Sequence, residues 1–260
     1  MQPHTHDSGR IPFHGDPSTA PQRALTCQIK FGIELPAKLQ VEVIQAVSTL
    51  TQSYAAAGDF VLPQTPERVA RALHERRLLV ALDSTGTKFV GAAKWVPLHT
   101  VDGILRVAEV GSLVRAPHTK GYGTPSPVAQ CVAALVKDLE SKNILALATA
   151  RSDKSRTCLT QGGMFEGRWN ALSALAALTC DPGCAPGPQG APAWTGCGTT
   201  ISCGARKTEE PSRIDECSLF VSNRERAIVL NDELLRTVAA QDEGCFSALR
   251  FRAAIGFKTE

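Results

Sequence analysis

The chain has 260 residues, of which 43% are hydrophobic and 20% are charged, so it can bury a sizeable core in one large domain or two small ones. This composition excludes a fibrous or largely disordered chain. No run approaches the roughly 20 apolar residues of a membrane span. The formal net charge of +3, spread along the chain, predicts neither nucleic acid nor membrane as a partner.

The nine cysteines and the N-terminal segment bear on the cellular compartment. Residues 1–25 have no apolar stretch that resembles a secretory signal, and we expect them to form a disordered leader. An odd number of cysteines without such a signal is typical of a reducing compartment, so we predict a cytoplasmic protein.

Hydrophobic periodicity predicts an alternation of helices and strands after the leader. Three strands with short turns between them indicate an antiparallel meander, and a helix then leads to a buried strand parallel to the third one. Two strands, at 169–178 and 218–222, and a C-terminal helix within 223–260 are expected later in the chain. The elements predicted before them are, in order, helix 35–54, helix 65–77, strands 78–82, 88–96 and 104–115, helix 125–139, strand 144–150 and helix 155–161.

The turn at 117–127 is the segment most informative about chemistry. Gly121 and Gly123 allow backbone N–H groups to converge on one concavity. Thr124 is a good N-cap and Pro125 suits the first helical position, so we predict that the helix begins there. Its N-terminus would add unpaired N–H groups and a positive dipole end, which favour a phosphate.

Two familiar phosphate-binding loops do not fit this turn. A Walker loop needs a lysine after its last glycine, and here Thr124 and Pro125 follow Gly123. A dinucleotide fingerprint needs a third glycine where the chain has Ser126, and the preceding strand belongs to a meander rather than to a parallel βαβ unit.

Residues 81–163 resemble the GCN5-related N-acetyltransferase (GNAT) superfamily. The family has a strand ending in Leu-x-Val-x-Pro and then a loop Gln/Arg-x-x-Gly-x-Gly/Ala. Here residues 113–117 read Leu-Val-Arg-Ala-Pro and residues 118–123 read His-Thr-Lys-Gly-Tyr-Gly. The resemblance implies an α/β fold with a mixed, mostly antiparallel central sheet flanked by helices.

The resemblance also implies acetyl-CoA as cosubstrate and acetyl transfer to the amine of a small molecule or peptide. By resemblance, the strand end pairs with the pantetheine arm and the loop amides hold the pyrophosphate. The cofactor-binding residues implied in this way are Leu113, Val114, Arg115, His118, Thr119, Lys120, Gly121, Tyr122, Gly123 and Thr124.

Acetyl transfer needs a proton acceptor for the amine and a proton donor for the thiolate. Glu109 resembles the strand glutamate that many family members use as the base, although a solvated carboxylate would also explain it. Alternation puts Glu109 and Leu113 on one face of the strand unless a bulge intervenes. Many family members have a tyrosine that acts as general acid toward the thiolate. At that position this chain has Leu159, so the resemblance does not identify the general acid.

A Pro/Gly-rich and Cys-rich insertion is predicted at 180–217, inside a domain that spans 26–222 and precedes a helical extension at 223–260. A loop of that length without secondary structure is unusual in a compact domain, so we expect a metal ion or a cross-link to order it. Four thiolates suit tetrahedral Zn²⁺. Free or redox-active thiols and disulfides are the alternatives. The metal ligands would be Cys180, Cys184, Cys197 and Cys203.

The sequence therefore leaves three hypotheses for the function. The first is an acetyl-CoA-dependent N-acetyltransferase that uses Glu109. The second is a catalytically weak acyl-CoA-binding module without need of that carboxylate. The third is a metal-stapled interaction module that works through residues 180–217. No motif in the sequence indicates which amine is the acceptor or what the oligomeric state is.

Overall fold

A computed structural model describes residues 26–57, 63–101, 103–119, 122–150, 152–167, 172, 175, 178 and 218–240. Its strands are β1 Gln28–Phe31, β2 Leu78–Leu82, β3 Phe89–Val101, β4 Ile104–Arg115, β5 Leu145–Ala150, β6 Phe165–Gly167 and β7 Ser218–Val221. Its helices are α1 Ala37–Ala56, α2 Pro66–His74, α3 Pro127–Ser141, α4 Asp153–Gln161 and α5 Arg224–Ala240.

The described strands form one sheet of seven in the order β1-β2-β3-β4-β5-β7-β6. Only β4 and β5 are parallel, and every other neighbouring pair in this part of the chain is antiparallel. The crossover between the parallel strands is α3, as a helix of this length allows. The predicted α/β fold with a mixed, mostly antiparallel sheet is confirmed.

Helices cover both faces of the sheet, and side-chain alternation along the strands divides the core between them. Val132 and Leu135 of α3 share a buried cluster with Ala108 and Val110 of β4. Val43 of α1 and Leu73 of α2 belong to a cluster on the opposite face. A third cluster joins α5 to Val107, Leu145 and Leu147. We call the side with α3 the α3 face and the other the α1 face.

Helix α3 begins two residues later than the sequence predicts. Ser126 rather than Thr124 is the N-cap, and its Oγ accepts a hydrogen bond from Ala129 N at 3.2 Å. Pro127 rather than Pro125 occupies the first helical position. The chain offers the same cap-and-proline signal twice in a row, and burial of Pro127 and the following apolar residues selects the second.

Three parts of the strand prediction need correction. The first is the end of β3, which lies at Val101 and not at the predicted 96, because pairing with β4 continues through Pro97. The strand after α4 is β6, at 165–167, and not the predicted 169–178, whose described residues Leu172, Leu175 and Leu178 lie outside strands. Leu172 and Leu175 instead pack in the cluster with α5, so their apolar character reflects burial rather than extended backbone. Strand β1 was not predicted, because four residues at an edge carry too short a pattern.

Parts of the predicted domain plan lie outside the described residues. These are the leader 1–25, the whole insertion 180–217 and residues 241–260. The helix expected in the C-terminal extension is found as α5. None of the described helices is both long and apolar enough to cross a bilayer.

Candidate active site

Strands β4 and β5 separate in the middle of the sheet. Their parallel pairing covers Val107, Ala108 and Glu109 of β4, opposite 145–147 of β5. Beyond that point the described part of β4 pairs only with β3, while 148–150 of β5 pair with β7. A wedge therefore opens between the two strands, and Glu109 lies at its apex.

A β-bulge explains why β4 leaves its neighbour. In the register with β3, Ala92 faces Val114 and Lys94 faces Gly111, so two residues of β4 oppose a single residue of β3. One of the two is Ser112, whose φ of 49° lies in the left-handed region. A bulge of this kind bends its strand and increases the local twist, which turns the end of β4 away from β5.

The bulge also decides which way the strand-end residues face. Leu113 packs with the cluster on the α3 face, whereas Val114 belongs to the cluster with α1 and α2. Glu109 alternates with Ala108 and Val110, which are in the α3-face cluster. Glu109 and Leu113 are therefore on opposite faces, and the one-face expectation fails because of the bulge.

Glu109 is the only carboxylate among the described residues of β4. Glu109 as a whole is partly exposed, but its carboxyl group is buried. This burial raises the pKa of the carboxyl group to about 7. The charge of Lys94 acts in the opposite direction and lowers that pKa. A carboxyl group that titrates near neutrality can accept a proton at physiological pH and release it afterwards.

Lys94 is diagonal to Glu109 across β3 and β4. Val96 faces Glu109 and Gly111 faces Lys94, so both side chains lie on the α1 face, within reach of each other. Burial, followed by the charges of Arg77 and Arg68, lowers the pKa of Lys94 to about 8, although the charge of Glu109 acts to raise it. Its Nζ donates a hydrogen bond to Gln64 Oε1.

The end of β4 is fastened by polar contacts. Tyr54 Oη of α1 donates to Arg115 O at 2.8 Å. Arg115 Nε donates to Thr119 Oγ1 at 2.5 Å, and the Thr119 hydroxyl donates to Ala116 O at 2.7 Å. Thr119 is buried in this arrangement. These contacts hold the strand end and the first turn of the loop in one conformation.

The loop residues other than Thr119 that are predicted to hold phosphate fall into three groups. Lys120 and Gly121 lie outside the described residues. His118 and Thr124 are exposed, and Gly123 is partly exposed. Tyr122 is partly buried against the α3-face cluster, and burial, followed by the charges of Asp83 and Cys27, raises its pKa. Their role in cofactor binding stays a prediction.

The N-terminus of α3 points its first turn toward the loop. Ser126 Oγ already satisfies one backbone donor of this turn, and Ser126 N donates to Gln161 Oε1 of α4 at 3.3 Å. The dipole of a 15-residue helix nevertheless puts partial positive charge at this end. The arrangement can hold an anion through the dipole and the remaining N–H groups.

The position expected for a general acid holds no hydroxyl. Leu159 is buried in α4 and packs in the α3-face cluster. The adjacent Cys158 is partly buried, and burial raises the pKa of its thiol to about 11. A thiol with so high a pKa is a weaker proton donor than an ordinary thiol, and Leu159 has no proton to donate.

The four proposed zinc ligands, Cys180, Cys184, Cys197 and Cys203, lie outside the described residues, and the zinc site stays a prediction. Cys27, Cys131 and Cys158 are free thiols. In the part of the chain that the structure describes, no group of three or more His, Cys, Asp or Glu residues could hold a metal.

Two residues of this region, Lys94 and Gln64, were missed by the sequence interpretation. One signal for Lys94 was present, since it interrupts a strand that otherwise reads Val-Gly-Ala-Ala before it and Trp-Val after it. A charge at the centre of an apolar strand indicates a partner. Gln64 carries no local signal, because its place depends on how α1 and α2 pack.

Comparisons with known proteins find similarity only to solved structures. No model of a protein family matches the sequence, and no curated protein matches it. A ribosomal-protein-alanine N-acetyltransferase from Brucella melitensis aligns at 15% identity and a TM-score of 0.41, over 54% of this chain and 86% of its own. A Salmonella typhimurium protein described as an acetyltransferase, solved with its cofactor acetyl-CoA, aligns at 14% and 0.40, over 56% and 82%.

A third structure covers more of the chain. It is a GNAT family N-acetyltransferase from Escherichia coli in complex with CoA, aligned at 16% identity and a TM-score of 0.40 over 82% of this chain and 88% of its own. Identities and TM-scores of this size leave the function to be argued from the residues of this chain.

Proposed function

We propose that this chain is an N-acetyltransferase of the GNAT type, which transfers the acetyl group of acetyl-CoA to an amine by direct attack on the thioester. The observation that carries the proposal is the position of Glu109 at the apex of the wedge between β4 and β5. A free strand edge begins beside a carboxyl group whose pKa is about 7. The free edge of β4 can hold an extended chain that carries amide groups, and the Glu109 carboxyl group can take a proton.

The pantetheine arm of acetyl-CoA fits the chemistry of this edge. It carries amide groups along an otherwise apolar chain, and an exposed strand offers N–H and C=O groups at matching spacing. Leu113, Val114 and Arg115 would supply these backbone groups, and Leu113 contributes an apolar wall on the α3 face. Residues 118–124 and the positive end of α3 would receive the phosphates.

The reaction then needs one proton acceptor. The neutral amine attacks the thioester carbonyl carbon, a C–N bond forms, and the tetrahedral intermediate breaks its C–S bond. Glu109 takes the proton that the amine loses, directly or through one water. The CoA thiolate takes its proton from water, because Leu159 and Cys158 offer no suitable donor.

The acceptor, the amine of a small molecule or peptide, would approach from the α1 face. Glu109 is directed there by alternation with Ala108 and Val110. A Cβ added to Gly111 would meet no described atom within 4 Å, so the strand beside Glu109 leaves room on its surface.

A second function is favoured by one specific observation. Leu159 stands, buried, where the resemblance would have an acidic tyrosine, which fits a module that binds acyl-CoA and turns it over weakly or not at all. The two functions differ in Glu109, because binding alone does not need a base.

Titration calorimetry of acetyl-CoA into the purified full chain tests the proposal, and CoA compared with dephospho-CoA, which lacks only the 3′-phosphate, tests the contribution of that phosphate. Saturable binding, weaker for dephospho-CoA, is expected. It would be followed by a screen of amines monitored by release of the CoA thiol. Absence of binding at millimolar acetyl-CoA would overturn the proposal, and binding without thiol release to any amine would favour the second function.

A further inference from the structure

Three hydrogen bonds connect Lys94, through Gln64, to helix α1. Ser48 Oγ of α1 donates to Gln64 O at 2.8 Å, and Gln64 N donates to Thr51 Oγ1 at 3.1 Å. Gln64 lies in the chain between α1 and α2 and is buried. Its Oε1 accepts a hydrogen bond from Lys94 Nζ, so the ammonium group is tied to a fixed amide.

The geometry leaves Lys94 a second neighbour. It lies diagonal to Glu109 on the same face of adjacent antiparallel strands, where long side chains reach each other. The other charges around it are cationic: Arg77 precedes β2, and Arg68 is on α2. Arg77 is itself paired with Glu75. Glu109 is the group whose charge favours the protonated form of Lys94.

We infer that Lys94 is a positioning residue for Glu109: its ammonium group, held by Gln64, favours the ionised form of the Glu109 carboxyl group at the apex of the wedge. This inference rests on the proposed function for its catalytic meaning. The electrostatic part does not, because it concerns two side chains in the unliganded protein.

The physical reason is the competition between burial and charge. Burial disfavours the carboxylate, and an opposite charge within a few ångströms favours it. Without Lys94 the carboxyl group would keep its proton to higher pH and could not accept one from the amine near neutrality. With Lys94 it titrates close to the pH at which a base is most effective.

The test is a titration of Glu109 in the full chain without substrates. Carboxyl ¹³C NMR of glutamate-labelled protein follows the group, and Glu109→Gln identifies its resonance. Lys94→Met is expected to raise the midpoint by about one pH unit or more, since a nearby opposite charge moves a carboxyl pKa by ~1–3 units. Lys94→Arg keeps the charge and is expected to leave the midpoint near that of the unmodified chain.

The matched control is Lys88→Met, which removes an exposed lysine of the β2–β3 turn. If Lys94→Met does not fold, Lys94→Gln removes the charge while retaining a donor for Gln64. An unchanged Glu109 midpoint in a folded Lys94→Met or Lys94→Gln variant would overturn the inference.

Kinetics separates this inference from the proposed function. If an acceptor is found, the acid limb of kcat/KM is expected to move to higher pH in Lys94→Met and to return in Lys94→Arg. A merely structural role would lower the rate without moving the limb. If the unmodified chain acetylates no amine, the proposed function fails, while the NMR titration still decides the part played by Lys94.

Discussion

A single carboxyl group carries most of the chemistry proposed for this chain. Burial raises the pKa of Glu109 to about 7, and Lys94 opposes that rise. Glu109 therefore changes its charge within the physiological pH range, unlike an exposed glutamate. A group poised in this way is typical of a catalytic site.

The turnover of the chain should depend on this carboxylate. Glu109→Gln removes the proton acceptor while keeping the shape, so kcat is expected to fall by about 10²-fold or more. In the unmodified chain kcat/KM should decline as pH falls below about 7, because protonated Glu109 cannot act as a base. Thiol-release assays across pH, with calorimetry for CoA affinity, provide the measurement.

Glu166→Gln is the matched control, because Glu166 is an exposed glutamate on strand β6. It should leave turnover and its pH profile as they are. Equal turnover of Glu109→Gln and the unmodified chain at every pH would remove Glu109 from the mechanism.

At the scale of single elements, β4 creates the site by leaving its partner. The strand pairs with β5 at three positions and then bends at the Ser112 bulge. One extra residue turns the rest of the strand and exposes backbone groups that a regular ladder would consume. The wedge is therefore a consequence of local backbone geometry in one strand.

Substitution of Ser112 tests this account. A β-branched residue rarely adopts positive φ, so Ser112→Val should lower the free energy of unfolding by about 1–3 kcal/mol and weaken CoA binding. Ser112→Gly accepts the same φ without strain and should preserve both. Urea unfolding and calorimetry measure the two effects.

Lys30→Val controls for the gain of a β-branched residue, since Lys30 is an exposed residue of strand β1 without positive φ. If Ser112→Val matches Lys30→Val in stability and in CoA affinity, the bulge does not shape the wedge.

At the scale of the whole molecule, the last two strands of the sheet stand on either side of the Cys-rich insertion in the chain. Strand β6 ends at Gly167, and β7 enters at Ser218 between β5 and β6. Four residues of β7 pair with β5 and three with β6. The pairing that holds the second half of the sheet is thus made by described residues outside the insertion.

Replacing residues 181–215 by a Gly/Ser linker should therefore leave the sheet and CoA binding in place. Thermal unfolding followed by circular dichroism, together with calorimetry, tests this. Loss of CoA binding in a folded deletion variant would make the insertion part of the site.

The same pair of proteins tests the proposed zinc site. The full chain is expected to carry about one Zn²⁺, as one tetrathiolate site would, and the deletion variant none. Metal analysis by mass spectrometry of both proteins measures this. A full chain purified without zinc would contradict the metal site and leave free thiols or disulfides.

Local patterns were enough for many elements. Helices α1 and α2 and strands β2, β4 and β5 follow from apolar periodicity and from capping residues such as Thr65. The prediction failed where two local signals compete, as at Thr124 and Ser126, and where burial resembles a strand, as at Leu172 and Leu175.

The sequence by itself determined the class of fold, the loop after β4 and the choice of Glu109, because periodicity, caps and motifs are properties of neighbouring residues. Only the tertiary structure decided the bulge at Ser112, the parting of β4 from β5 and the hydrogen bond from Lys94 to Gln64 on the face that carries Glu109. These depend on which distant segments pair, and contacts between residues 30 positions apart leave no periodic trace in the chain.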